Sequence, residues 1–152
     1  MPTLHMHLAG LLAGLLGLPG VLSAQDATPT SLRWAVAPAL LPPGAMFSVV
    51  SGDPTGPDES IIQLSMPDGY KIAPHFHPTA ETVVVKKGTF LVGKGDSLDL
   101  SKTKPMKAGA KGSLPAQQHH FAAAKGATVV SVSAMGPFAM TYVNPADDPS
   151  KK

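Results

Sequence analysis

From residue 46 onward the apolar positions fall in short runs separated by turn-forming clusters. The run Met46–Ser51 (MFSVVS) is followed by Gly52-Asp53-Pro54-Thr55-Gly56-Pro57, a strong turn signal. Residues 60–66 (SIIQLSM) alternate, which puts Ile62, Leu64 and Met66 on one side before Pro67-Asp68-Gly69 turns the chain. Residues 81–85 (ETVVV) are β-branched and end at Lys86-Lys87-Gly88, and residues 89–92 follow at once, so the two runs predict a hairpin. Residues 128–133 (TVVSVS) and 138–143 (FAMTYV) predict two more strands, separated by Gly136-Pro137. No window of a dozen residues carries a helical period free of Gly or Pro. The pattern predicts an all-β, single-domain antiparallel sandwich or barrel of short strands, with no internal repeat.

The N-terminus follows a different rule. Residues 8–22 (LAGLLAGLLGLPGVL) carry no charge. A run of that length is short for a membrane span, which needs about 20 apolar residues, and it matches the apolar region of a secretory signal peptide. Ala24 offers a small residue for cleavage just before Gln25. A buried N-terminal helix is the competing reading, and Gly10, Gly14, Gly17 and Pro19-Gly20 weigh against it. The expected organisation is a signal peptide over 1–24, a lead-in and first strand region over 25–44, a β domain over 45–145 and a tail over 146–152. The expected location is periplasmic or secreted, with no membrane span in the mature chain.

Composition narrows the chemistry. The chain of 152 residues contains 15 Gly and 16 Pro, which suits many turns and few helices. A formal net charge of +2 is too small to imply nucleic-acid binding. Seven lysines (86, 87, 94, 102, 104, 107 and 111) lie in one stretch, read here as a solvated loop and hairpin tip, with an anion-attracting surface as the alternative. Gly88 to Lys94 has the spacing of a phosphate-binding loop, but Gly95 stands where that motif needs Ser or Thr, and no helix is predicted after it. Cys is absent, so any metal must be held by nitrogen and oxygen.

The histidines then concentrate the signal. Outside the first 24 residues there are four: His75, His77, His119 and His120. His75-Phe76-His77 lies between Pro74 and Pro78, which favour extended backbone. In an extended chain residues two apart share a face, so His75 and His77 project together, and Glu81 keeps the same parity. Two imidazoles and a carboxylate on one face can ligate a divalent transition metal. Neighbours on a strand point opposite ways, so at most one of His119 and His120 can join them. An HxH pair taken alone is often a surface accident.

The spacing of Gly69, His75, His77, Glu81 and Gly88 fills every position of G-x5-H-x-H-x3-E-x6-G, the first motif of the cupin family. The second motif, G-x5-P-x-G-x2-H-x3-N, is matched by Gly109, Pro115 and His120, while Gln117 replaces the inner Gly and Ala124 the final Asn. The chain therefore resembles a small secreted single-domain cupin over residues 69–120. The resemblance implies a jelly-roll β-barrel with one divalent transition metal held by His75, His77, Glu81 and His120. Fe, Mn, Ni, Cu and Zn are not distinguished. His119 is then an outward or supporting residue, and Gln63, Tyr70, Phe76 and Gln117 are candidate pocket residues.

Cupins span several chemistries, so the fold does not name the reaction. No second acid, base or nucleophile is evident, which favours redox chemistry at the metal over hydrolysis. The leading expectation is a metal-dependent oxidoreductase, dioxygenase-like, acting on a small oxygenated molecule. The alternatives are a non-catalytic metal or small-ligand binding or sensor protein, an isomerase or decarboxylase, and a structural cupin with an empty site. A homodimer is the family expectation.

Overall fold

The computed structural model describes Ser31–Lys152; the segment over 1–24 expected to be a signal peptide, with its expected cleavage point, lies outside the described residues. Nine strands follow in order: β1 (Ala35–Val36), β2 (Met46–Ser51), β3 (Glu59–Met66), β4 (Lys71–Phe76), β5 (Glu81–Lys94), β6 (Lys104–Lys107), β7 (Lys111–Leu114), β8 (His120–Met135) and β9 (Thr141–Tyr142). All pairings are antiparallel. One path through the sheet runs β1-β2-β3-β8-β4-β9, while β5 joins β8 to β6 and β7. The sheet curls on itself, and the all-β barrel expected from the sequence is what forms. No helix among the described residues is long and apolar enough to cross a membrane.

Alternation builds the interior. On β3, Ser60, Ile62, Leu64 and Met66 are buried while the residues between them are half-covered. Val83 and Val85 of β5, Phe90 further along it, and Val130 and Val132 of β8 complete the same core.

Two expectations change. Residues 81–85 and 89–92 are not the arms of a hairpin; they are one 14-residue strand. Its register against β8 shifts on both sides of Lys87, and Gly88 has φ +74°. A Cβ at Gly88 would come within 2.5 Å of the Ala127 carbonyl oxygen, so Gly is required for this bulge. The two halves never face each other because β8 is long enough to pair with both. Likewise, residues 138–143 give only the two paired residues of β9, because Phe138 and Met140 turn toward the core instead of extending a ladder.

The lysine-rich stretch is also more ordered than a loop. It contains the end of β5 and the short strands β6 and β7. Both lie on the outer side of β5 and pair with nothing else. Lysines are well suited to such edge strands, where their charge discourages further pairing. The Gly88 to Lys94 segment lies within β5, and no helix follows it.

Candidate metal centre

His75 lies on β4 and stands opposite His120, the first residue of β8. His77 lies just past the end of β4, and Glu81 opens β5. All four side chains are buried, with relative exposures of 3–6%. The extended reading of 75–77 therefore holds, and the parity that predicted a shared face for His75, His77 and Glu81 is realised. Imidazole centroids are 4.2 Å apart for His75 and His120, 5.1 Å for His75 and His77, and 5.4 Å for His77 and His120. Each imidazole offers one ligand atom, and the three lie within 4.8 Å of one another.

The backbone fixes which nitrogen each ring presents. Nδ1 donates to the Ala73 carbonyl from His75 (2.8 Å), to Ala139 from His77 (2.7 Å) and to Gln118 from His120 (2.8 Å). A carbonyl oxygen only accepts, so each Nδ1 carries the hydrogen. The neutral ring then has its lone pair at Nε2, the arrangement found in metal-ligating histidines whose other N–H is tied to the backbone. Glu81 lies beside this trio: its Oε1 is 3.1 Å from His120 Nε2 and its Oε2 is 3.5 Å from His77 Nε2.

Electrostatics supports the same assignment. Burial, with the charge of His120 next, drives the His75 imidazolium down to about pH 3, so His75 is neutral and able to donate its lone pair. Burial alone would raise the Glu81 carboxyl, but the neighbouring imidazoles of His120, His77 and His75 together lower it. An ionised carboxylate among buried imidazoles is what a cation would neutralise. The three imidazole nitrogens could hold a divalent transition metal, with the Glu81 carboxylate alongside.

His119 faces away, half-covered; its Nδ1 is 2.6 Å from Asp96 Oδ1 and its ring stacks on Phe76 at 5.0 Å. The four weaker pocket candidates sit elsewhere. Gln63 lies on the opposite face of β3 from Ile62 and Leu64. Tyr70 is buried with its hydroxyl donated to the Pro42 carbonyl. Phe76 covers His119, and Gln117 forms a turn whose N–H bonds the His77 carbonyl. None of them lines the cavity next to the imidazoles.

That cavity has a volume of about 60 Å³. Val83, Ile62, Leu64 and Val132 contribute to its walls, and Leu40, Leu41, Phe138 and Met140 are the half-buried residues among its lining. Sequence reasoning missed those last four, which come from irregular segments with no strand period. The hydroxyls of Tyr70 and Tyr142 bond the carbonyls of Pro42 and Leu40, so two tyrosines hold the first of these segments in place.

The curled antiparallel barrel has many counterparts among solved structures. The polyketide cyclase RemF from Streptomyces resistomycificus superposes with a TM-score of 0.66 at 16% identity, covering 84% of this chain and 90% of that one. An RmlC-like cupin from Shewanella frigidimarina gives 0.55 at 14% identity, covering 69% and 84%. The chain has the cupin fold. A mutant salicylate 1,2-dioxygenase from Pseudoaminobacter salicylatoxidans, in complex with gentisate, gives 0.57 at 14% identity. This chain covers only 31% of that longer chain, which in turn spans 70% of this one. No protein-family model matches the chain, and no curated protein does.

Proposed function

We propose that this cupin binds one divalent transition metal through His75, His77, His120 and Glu81 and works as a metal-dependent oxidoreductase, dioxygenase-like, on a small oxygenated molecule. The observation that carries the metal is the trio of buried imidazoles whose Nδ1 atoms are each committed to a carbonyl, leaving Nε2 to face a common point. A bound ion would supply Lewis acidity and, if redox-active, electrons for dioxygen. The chain's own residues hold the donors rigid, keep His75 neutral and surround the reacting group with apolar walls that exclude water. The cavity lining includes no acid or base beyond the four donor residues, which favours chemistry at the ion over hydrolysis by a separate general base.

Elemental analysis of the protein from its native host tests the first half. A stoichiometric transition metal is expected, lost in His77→Ala; its absence, with no loss of stability in that variant, refutes the site. Oxygen uptake by the iron-loaded protein across diketones, phenols and flavonoids tests the second half, and silence throughout favours a non-catalytic binder.

Two further readings accompany this one. Export to the periplasm or beyond rests on residues 8–22 and Ala24, and an intact Met1 end on cytosolic protein overturns it. A homodimer draws support from apolar side chains exposed on β1 and β2, among them Val36 at 77% exposure with Met46, Val49 and Val50. A monomeric mass by light scattering overturns it.

A further inference from the structure

The cavity beside the imidazoles is unusually one-sided in its chemistry. At one end stand the four donor residues. Every other lining side chain is aliphatic, aromatic or thioether. No lysine, arginine, hydroxyl or amide side chain of the described residues lines it. The walls Ile62, Leu64, Val83 and Val132 are buried, and the half-buried side chains Leu40, Leu41, Phe138 and Met140 are apolar as well. On the buried walls the backbone offers little more, since Ile62, Leu64, Val83 and Val132 lie on strands β3, β5 and β8, whose N–H and C=O groups are paired in the sheet.

Polar groups of a ligand must find partners when they leave water, and an unpartnered hydroxyl or charge in such a wall is penalised. Among the described residues, the polar side chains that line this cavity all lie at the imidazole end. We propose that the cavity takes a one-ended ligand: a small molecule whose oxygen atoms are gathered at one end, toward the imidazoles, and whose remainder is uncharged hydrocarbon. This rests on the metal reading for the polar end and on the lining alone for the hydrocarbon end. β-Diketones and catechols with alkyl substituents fit. Aromatic acids with a carboxylate or hydroxyl on the far side of the ring do not, because that group would meet valine, leucine and isoleucine. Specificity then arises by rejection, since a wall without partners discriminates against a misplaced polar group.

Two ligands with the same chelating head isolate the far end. 4-Methylcatechol and 3,4-dihydroxybenzoate differ there by a methyl against a carboxylate. Calorimetry on zinc-loaded protein, with loading verified by elemental analysis and each affinity referred to the same ligand's affinity for free zinc, should favour the methyl compound by about tenfold or more. Equal or reversed preference overturns the proposal. Met140→Lys, a change of a half-buried lining residue that touches no donor, should improve the carboxylate compound selectively; no change in the ratio also counts against the proposal. A third arm needs no metal. Toluene added to metal-free protein should shift the methyl resonances of Ile62, Leu64 and Met140, and the absence of any shift overturns the apolar assignment. If elemental analysis finds no metal while toluene binds, the metal reading fails and the hydrocarbon end stands.

Discussion

The barrel carries two concavities back to back, and they share Val83 and Leu114. In the first, four titratable side chains are withdrawn from water, and each imidazole is tied by Nδ1 to a backbone carbonyl. In the second, Lys94, Lys102, Lys104 and Lys111 line a groove whose lysines are exposed, above Met106, Val92 and Pro105. Both combine charge-bearing residues with apolar surface. They differ in who satisfies the polar atoms. Water solvates the lysines, and the Lys102–Asp99 pair at 3.3 Å is an exposed contact that holds neither partner firmly. Protein satisfies the imidazoles, so their positions are set before any ligand arrives. A cluster of charged residues becomes a site when burial forces the fold to orient it, and the lysine stretch, richer in charge, lacks that step.

The strongest way to break this contrast is to remove a donor on one side and a lysine on the other. His120→Ala should weaken metal binding on the order of a hundredfold or more, since losing even an outer partner of a ligand costs about 10–100-fold. Lys104→Ala should leave metal affinity unchanged. Competition with a chelator of known affinity measures both, and equal effects would erase the distinction. The shared wall comes next. Leu114 stands opposite Glu81 across the β5–β7 ladder and is 7% exposed. Leu114→Ala should destabilise the protein by about 2–4 kcal/mol through lost burial and the hole left behind, read from urea unfolding. The same change opens the partition between cavity and groove, so the cavity's bias against far-end carboxylates should shrink.

A third test uses pH. The chain's only two tyrosines are Tyr70 and Tyr142, both buried and both donating to the segment that carries Leu40 and Leu41 over the cavity. Burial pushes Tyr70 up to about 12, and burial, with smaller repulsion from Tyr70, Asp148 and Asp147, pushes Tyr142 higher still. An unfolded tyrosine ionises near 10. Between pH 10 and 12 the unfolded chain therefore holds fewer protons than the fold, and stability falls as pH rises through that window. Tyrosinate absorbance should stay low past pH 10 and then appear together with the loss of β-sheet dichroism. A gradual rise beginning near pH 10, with the fold intact, would show that the tyrosines do not tether the cavity side.

The donors were legible because their geometry is local. His75 and His77 owe their shared face to extended backbone fixed by Pro74 and Pro78, and the parity reaching Glu81 survived the intervening turn. The choice of His120 over His119 followed from motif spacing, and His120 is buried in the cluster while His119 is half-covered and faces Asp96. The core face of β3 was equally plain, since its alternation is unbroken. What stayed hidden depends on long-range pairing. Whether Lys86-Lys87-Gly88 turns the chain or merely kinks it depends on β8, some forty residues away, being long enough to pair on both sides of the bulge. The lysines of β6 and β7 disguised strands because edge position, not burial, makes them strands. The pocket guesses Gln63, Tyr70, Phe76 and Gln117 favoured polar or aromatic side chains, whereas away from the imidazoles the cavity is lined mostly by aliphatic residues, with Phe90, Phe138 and Met140, that any core would contain.

The smallest expected effect compares two turns that frame β7. Gly109 precedes it on the groove side with φ +90°, and Gln117 follows it on the imidazole side with φ +62°. Both are left-handed, yet only the first is occupied by the residue that tolerates that backbone without a steric penalty. Gln117 is the one non-glycine with positive φ among the described residues, and it stands where the second cupin motif has Gly. Its N–H is spent on the His77 carbonyl at 2.9 Å, so the strained conformation is held by a contact to a donor residue. Gln117→Gly keeps that hydrogen bond and relieves a left-handed penalty of about 1–2 kcal/mol. The greater freedom of Gly in the unfolded chain returns roughly half of it. The net expectation is a gain of about 0.5–1 kcal/mol, seen as a higher urea midpoint at unchanged slope. Metal affinity should stay the same, because the hydrogen bond that links the turn to His77 involves only backbone. A loss of stability would mean that the Gln117 side chain contributes more than its backbone costs, and the imidazole-side turn would then be the better built of the two.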